Sequence, residues 1–226
     1  MPPLSTTRIL ALTYHIQEGG AWLADSAKGE HSTILAYAGF ELRLALERLM
    51  LEYLMHVDGD RLTEEHLALV SSLKRVENRI YELEGHQGKI DRKFRVFQII
   101  FEMMEMPFQL AKPNLGQCAK YWHLCSEFCH VGWTLRSAPD PVGVAPEALR
   151  ALSEVHEYLT QHTQQVVAWP RFANPEANEL QQRFVDGTVG EEEIRAYFRR
   201  IGIWSRVERP DGSKEFVGKA VPPVGG

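Results

Sequence analysis

At 226 residues the chain is long enough for one sizeable core, or for one core with a small appendage. Its 44% hydrophobic and 24% charged content are those of an ordinary soluble globular protein. A formal net charge of −5 gives no global attraction for nucleic acid, and no apolar stretch approaches the roughly 20 residues that a membrane span needs.

The start, Met1-Pro-Pro-Leu-Ser-Thr-Thr-Arg8, lacks a basic region followed by a long apolar run, so no secretory leader is expected. Ser5-Thr-Thr offers a cap for a first helix from Arg8 to about Lys28, weakened in its middle by Gly19-Gly20. The strongest helical signal runs from His31 to Val57 and ends at the turn sequence Asp58-Gly-Asp60. Its apolar residues cover most of the circumference, which predicts the central, most buried helix of a bundle. On that helix Glu41, Arg48 and Glu52 form a charged strip beside Tyr37, while Arg43 and Glu47 form a separate i,i+4 pair. The strip is either an intramolecular ion-pair network or a set of groups, led by Arg48, that faces a cleft or a dimer seam.

Thr63 is predicted to cap a helix that carries His66 at its third position and runs toward Glu84, where Gly85-His-Gln-Gly88 breaks or kinks it. The basic residues Lys74, Arg75, Arg79, Lys89, Arg92, Lys93 and Arg95 interleave with Glu77, Glu82, Glu84 and Asp91, the pattern of a solvated face laced with ion pairs. A further helix from about Ile90 reaches Met106 and is expected to end at Pro107.

Asn114 is placed to cap a helix through Cys118, His123 and His130, with Gly132 near its end. At 100° per residue His130, His123, Glu127, Ser126 and Lys120 share roughly a third of the circumference. Cys118, Cys125, Cys129 and Trp122 gather elsewhere, roughly 100–140° from the histidines for the three sulfurs, so one tetrahedral ion cannot collect both sets. The cysteines read as small core hydrophobes beside Trp122, and three thiols on one helix suit a reducing cytosol. His123, Glu127 and His130, at i, i+4 and i+7, form either a polar stripe or a two-histidine, one-carboxylate face; no second Glu-x-x-His occurs, and no metal or cofactor is expected. Ser126 and His130 are i,i+4 neighbours, a very weak signal for a nucleophile. Nucleotide-binding and hydrolase motifs are absent.

Pro146 is predicted to open a helix from Glu147 to about Ala168. Beyond Trp169-Pro170, Glu176 to Val185 and Glu191 to Ile201 read as short helices, and Trp204 to Val217 as a β-hairpin turning on Pro210-Asp-Gly-Ser213. This is part of a winged-helix outline. Residues 171–226 nevertheless carry nine Lys/Arg against nine Asp/Glu, which argues against a DNA-binding wing. The expected fold is mainly α: a bundle of about five helices over residues 1–170, with a small α+β appendage of two short helices and a hairpin over 171–226.

Over roughly residues 5–168 the chain resembles a HEPN-type helical domain, the bundle of many prokaryotic toxin, abortive-infection and CRISPR-associated proteins. The likeness is carried by Glu41-Leu-Arg-Leu-Ala-Leu-Glu-Arg48, by Tyr121-Trp-His-Leu-Cys-Ser-Glu-Phe-Cys-His130, and by the order of the helices. Active members carry Arg-x(4–6)-His and cleave RNA without metal, usually as dimers. His130 matches the histidine, while His123, Leu124 and Cys125 stand where the arginine would be. The resemblance implies a cytoplasmic, degenerate HEPN-like protein acting as a homodimer or as a subunit of a defence or nucleic-acid-processing complex. The alternatives are a metal-independent endoribonuclease, with His130 and His123 assisted by Glu127, Lys120 and Arg48, and a nucleic-acid adaptor using Arg195, Arg199, Arg200, Arg206 and Arg209.

Overall fold

The computed structural model describes residues 11–26, 32–59, 62–70, 72–106, 110–130, 141–165, 169, 171–208 and 214–219. Nine helices occur among them: α1 (Leu12–Ser26), α2 (Ser32–Val57), α3 (Glu64–Leu69), α4 (Leu73–Glu84), α5 (Gln87–Met103), α6 (Leu115–Phe128), α7 (Pro141–Gln164), α8 (Pro175–Val185) and α9 (Glu191–Ile201). None of these helices is long and apolar enough to cross a membrane.

The chain forms two compact units, Met1–Leu83 with Pro113–Gln165, and Glu84–Lys112 with Val166–Gly226. α5 belongs to the second unit.

In the first unit α2 packs against α1, α6 and α7. Its helix formers run uninterrupted by proline, and Leu35, Ala38, Leu42, Ala45, Leu46, Leu49, Met50, Tyr53 and Leu54 are fully enclosed. Each buried leucine contributes about 1.5–3 kcal/mol relative to exposure, so this burial, rather than helix propensity, dominates the stability of α2. α2 and α6 approach closely at Gly39, where a Cβ would stand 2.9 Å from Phe128 Cβ. The predicted cap of α3 is present: the His66 amide donates to Thr63 Oγ1 at 3.2 Å, and the His66 ring receives the Thr63 amide. The single helix expected from Thr63 to Glu84 is instead two, α3 and α4. The break predicted at Gly85 lies between α4 and α5, with Gly85 at φ +85°, a conformation that favours glycine. α7 starts at Pro141, five residues before the expected Pro146, which lies inside the helix.

The second unit buries Val96, Ile99 and Ile100 of α5 with Met104, Ala177, Phe184, Val189, Ile194 and Phe198. Asn174 caps α8 by accepting from the Glu176 amide, with Pro175 at the first helical position. α9 starts with Glu191, Glu192 and Glu193 and ends near Arg199 and Arg200, a distribution that interacts favourably with its macrodipole.

The mainly helical class holds, and the α+β character expected of the C-terminal appendage is corrected. The described architecture is helical, and none of the residues whose side chains are described lies in a strand. Only the backbone course of 203–208 and 214–219 is described, as two extended segments running antiparallel; the supposed turn at Pro210–Ser213 lies outside the described residues. An isolated two-stranded ribbon is not an independent structural layer. The fold class is therefore all-α.

Candidate functional site

α6 carries the residues singled out in the sequence. Asn114 caps it, its Oδ1 accepting from the Gln117 amide at 3.0 Å. Leu115, Cys118, Tyr121, Cys125 and Phe128 are buried and fix the rotation of the helix. Beside them Trp122 spans α6 and α2: its indole N–H donates to Glu47 Oε1 at 2.7 Å, and the Arg43 guanidinium sits 4.6 Å over its ring. Arg43 Nε also donates to Glu47 Oε1, at 3.0 Å, closing the i,i+4 pair read from the sequence.

That anchoring leaves Lys120, His123, Glu127 and His130 exposed on the opposite side. Among the described residues none of these four side chains makes a hydrogen bond or ion pair; His123 rests edge-on against Trp122, with ring centres 5.1 Å apart. His130 sits just past the helix end, its amide bonded back to the Glu127 carbonyl. Ser126 does not join the stripe: it is buried, and its hydroxyl donates to the Trp122 carbonyl at 2.7 Å. A serine in mid-helix can satisfy itself on the preceding turn in this way, which removes it as a nucleophile paired with His130.

Arg48 is not brought to the stripe. Gly39 and Arg43 mark the side of α2 that meets α6, and Arg48 stands roughly 140° around the helix from Arg43. Its Nε donates to Glu52 Oε1 at 2.9 Å. The third member of the charged strip, Glu41, accepts from His15 Nδ1 at 2.7 Å. The strip is thus an ion-pair network within the first unit.

The cysteines behave as core residues. Burial pushes the Cys118 thiol up to about 11 and the Cys125 thiol up to about 12. Among the described residues no three His, Cys, Asp or Glu side chains are arranged to hold a metal ion.

Three polar arrangements escaped the sequence reading. Buried His162 meets Tyr53, and buried His66 presents Nε2 to Asp58 Oδ2 at 2.9 Å. Both histidines lie on inward helix faces, a signal that marks burial but not the partner. The third is an open groove of about 290 Å³, lined by Glu65, Leu69, Arg75, Asn78, Arg79 and Glu82. Its arginines are engaged, Arg75 with the Ala68 carbonyl and Arg79 with Glu82.

In the second unit Arg195, first of the arginines considered for nucleic acid, donates to Glu102 at 2.6 Å and lies 3.7 Å from Glu191. Arg199 and Arg200 are exposed, Arg200 over the Tyr197 ring. The side chain of Arg206, and Arg209 altogether, lie outside the described residues.

The α6 stripe can therefore present two imidazoles, a carboxylate and an ammonium group to a partner or a ligand, with no guanidinium among them. No protein-family model, curated protein or solved structure matches the chain.

Proposed function

We propose that the chain is a cytoplasmic HEPN-like interaction protein with a degenerate site, working as a homodimer or as a subunit of a prokaryotic defence or nucleic-acid-processing complex. The observation that carries this reading is the composition of the exposed α6 face. His130 stands where the family's histidine would stand, but the preceding positions offer an imidazole, a leucine and a buried thiol in place of an arginine. The nearby helix-borne guanidinium of Arg43 is held by Glu47 and Trp122. A planar, bidentate donor for phosphate is thus missing from the stripe, and lysine does not reproduce its geometry.

The alternative is a metal-independent endoribonuclease. It is favoured by the common exposed face of His123 and His130, which would serve as general acid and general base with Glu127 between them and Lys120 toward the phosphate. Arg48, tied to Glu52 on another face of α2, has no part in that scheme.

RNA incubated with the purified chain in EDTA, beside the His130→Ala variant, separates the two. The interaction reading expects no cleavage by either protein. Cleavage by the parent that disappears in His130→Ala would overturn it in favour of the nuclease.

A further inference from the structure

Three aromatic side chains of the first unit stand on one outward surface. Trp22 of α1 lies against Tyr37 of α2, their ring centres 5.3 Å apart. Tyr37 is 59% and Phe40 48% exposed, and Trp22 is half-buried. Single exposed apolar residues are ordinary on a protein surface. Two exposed aromatics one turn apart, extended by a third ring from the neighbouring helix, form a continuous apolar face suited to a partner segment.

The charge beside this face is of one sign. Glu18, Trp22 and Asp25 recur at i, i+4 and i+7 and share one face of α1. A carboxylate therefore stands about one turn to either side of Trp22 along the axis. The α1 sequence contains no Lys or Arg, and among the described residues Glu18 makes no hydrogen bond or ion pair. On α2 the nearest guanidinium groups are already engaged, Arg43 with Glu47 and the Trp122 ring, and Arg48 with Glu52.

The same sign holds over the whole unit. Its segments contain seventeen Asp and Glu against eleven Lys and Arg, whereas those of the second unit contain thirteen against fourteen. The net negative charge of the chain thus belongs to the unit that bears the aromatic face, and its field attracts cations and repels nucleic acid. The rings act in the same direction, because an aromatic quadrupole attracts guanidinium and ammonium groups.

We infer that this surface docks a lysine- or arginine-bearing segment of a different protein. The apolar side chains of that segment cover Tyr37 and Phe40, while its cations reach Glu18 and Asp25. The inference rests on the association reading in its second form, a subunit of a complex, and gives it a surface and a partner chemistry.

The test uses the full-length chain and two fluorescein-labelled peptides with the same amphipathic leucine pattern. One has lysine and arginine on its polar face, the other glutamate. Fluorescence anisotropy is expected to show binding of the basic peptide alone. Tyr37→Ser combined with Phe40→Ser is expected to weaken it roughly tenfold or more. Glu18→Lys is expected to weaken it about fivefold, while Glu65→Lys, the same change of charge at an exposed position of α3, leaves it within about twofold. Circular dichroism confirms each variant as folded. Equal effects of Glu18→Lys and Glu65→Lys, or binding unmoved by the loss of both rings, would overturn the surface. Binding of neither peptide, or of both alike, would overturn the partner chemistry. After either result, a chain that leaves RNA intact in EDTA keeps the association reading through another face. RNA cleavage that is lost in His130→Ala would remove that reading whatever the peptides do.

Discussion

The phenolic oxygen of Tyr53 lies 2.5 Å from Nε2 of His162, with both side chains buried in the first unit. Burial pushes the imidazole's pKa down to about 4. Burial also raises the Tyr53 phenol well above its ordinary value, aided by Cys118, Tyr158 and Glu52. Tyr53 therefore donates and a neutral His162 accepts. The unfolded chain, with an ordinary histidine near 6.5, takes up its proton first as the pH falls. This group's contribution is whole above about pH 6.5 and declines toward pH 4, by roughly 3 kcal/mol in all. Urea unfolding across that window measures the slope, and His162→Gln is expected to flatten it.

Gly39 makes a contrasting prediction, independent of pH. A methyl group there would meet Phe128 Cβ at 2.9 Å and the Cys125 carbonyl oxygen at 3.3 Å. Neither can yield without shifting α6, so Gly39→Ala is expected to cost about 1–3 kcal/mol, against the gain in helix propensity. The urea midpoint should fall with the slope unchanged.

Thiol chemistry distinguishes the cysteines. Burial raises all three thiols, but Cys118 and Cys125 are enclosed while Cys129 is half-buried. A thiol-specific reagent at pH 8 should modify Cys129 first in the native chain, and the other two only on unfolding. Fast native labelling of Cys118 or Cys125 would contradict this packing.

The second unit offers a test of exposed charge. Arg95 grips Glu191 through Nε and a terminal amino group, at 2.7 and 2.8 Å, and Glu102 at 2.7 Å. Hydrogen bonds from Arg95, and for Glu102 first from Arg195, hold both carboxylates below their ordinary range. Their contribution is present above pH 4.5 and is lost as the pH falls through the lowered values. Because these side chains are over a third exposed, Arg95→Ala is expected to cost no more than about 1 kcal/mol, and less in high salt. Thermal unfolding at two ionic strengths checks both statements.

What could be read from the sequence was local. The apolar run of α2, the Thr63 and Asn114 caps, the break at Gly85 and the Arg43–Glu47 pair depend on neighbours within a few residues, and each has its expected place. α9 occupies Glu191–Ile201, the range read for it from the sequence. The losses lie where distant segments decide. Tyr53 and His162 are far apart in sequence, and the facing groups of His15 and Glu41 belong to different helices. Ser126 was misplaced because angular position alone does not register a hydroxyl satisfied by its own helix.

The separation of α5 from its partners also imposes an order on synthesis. Val96, Ile99 and Ile100 emerge from the ribosome before Phe184, Ile194 and Phe198, the residues with which they form a core. At about 5–20 residues per second the intervening stretch takes roughly 4–20 seconds to make. α2 must likewise wait for α6 and α7, whose segments follow α5 in the chain. Each unit's two segments are separated by a segment of the other, so while α6 and α7 are being made the nascent chain holds two half-built apolar surfaces at once. Chaperone demand should therefore be greatest after α5 has emerged and before α7 is complete.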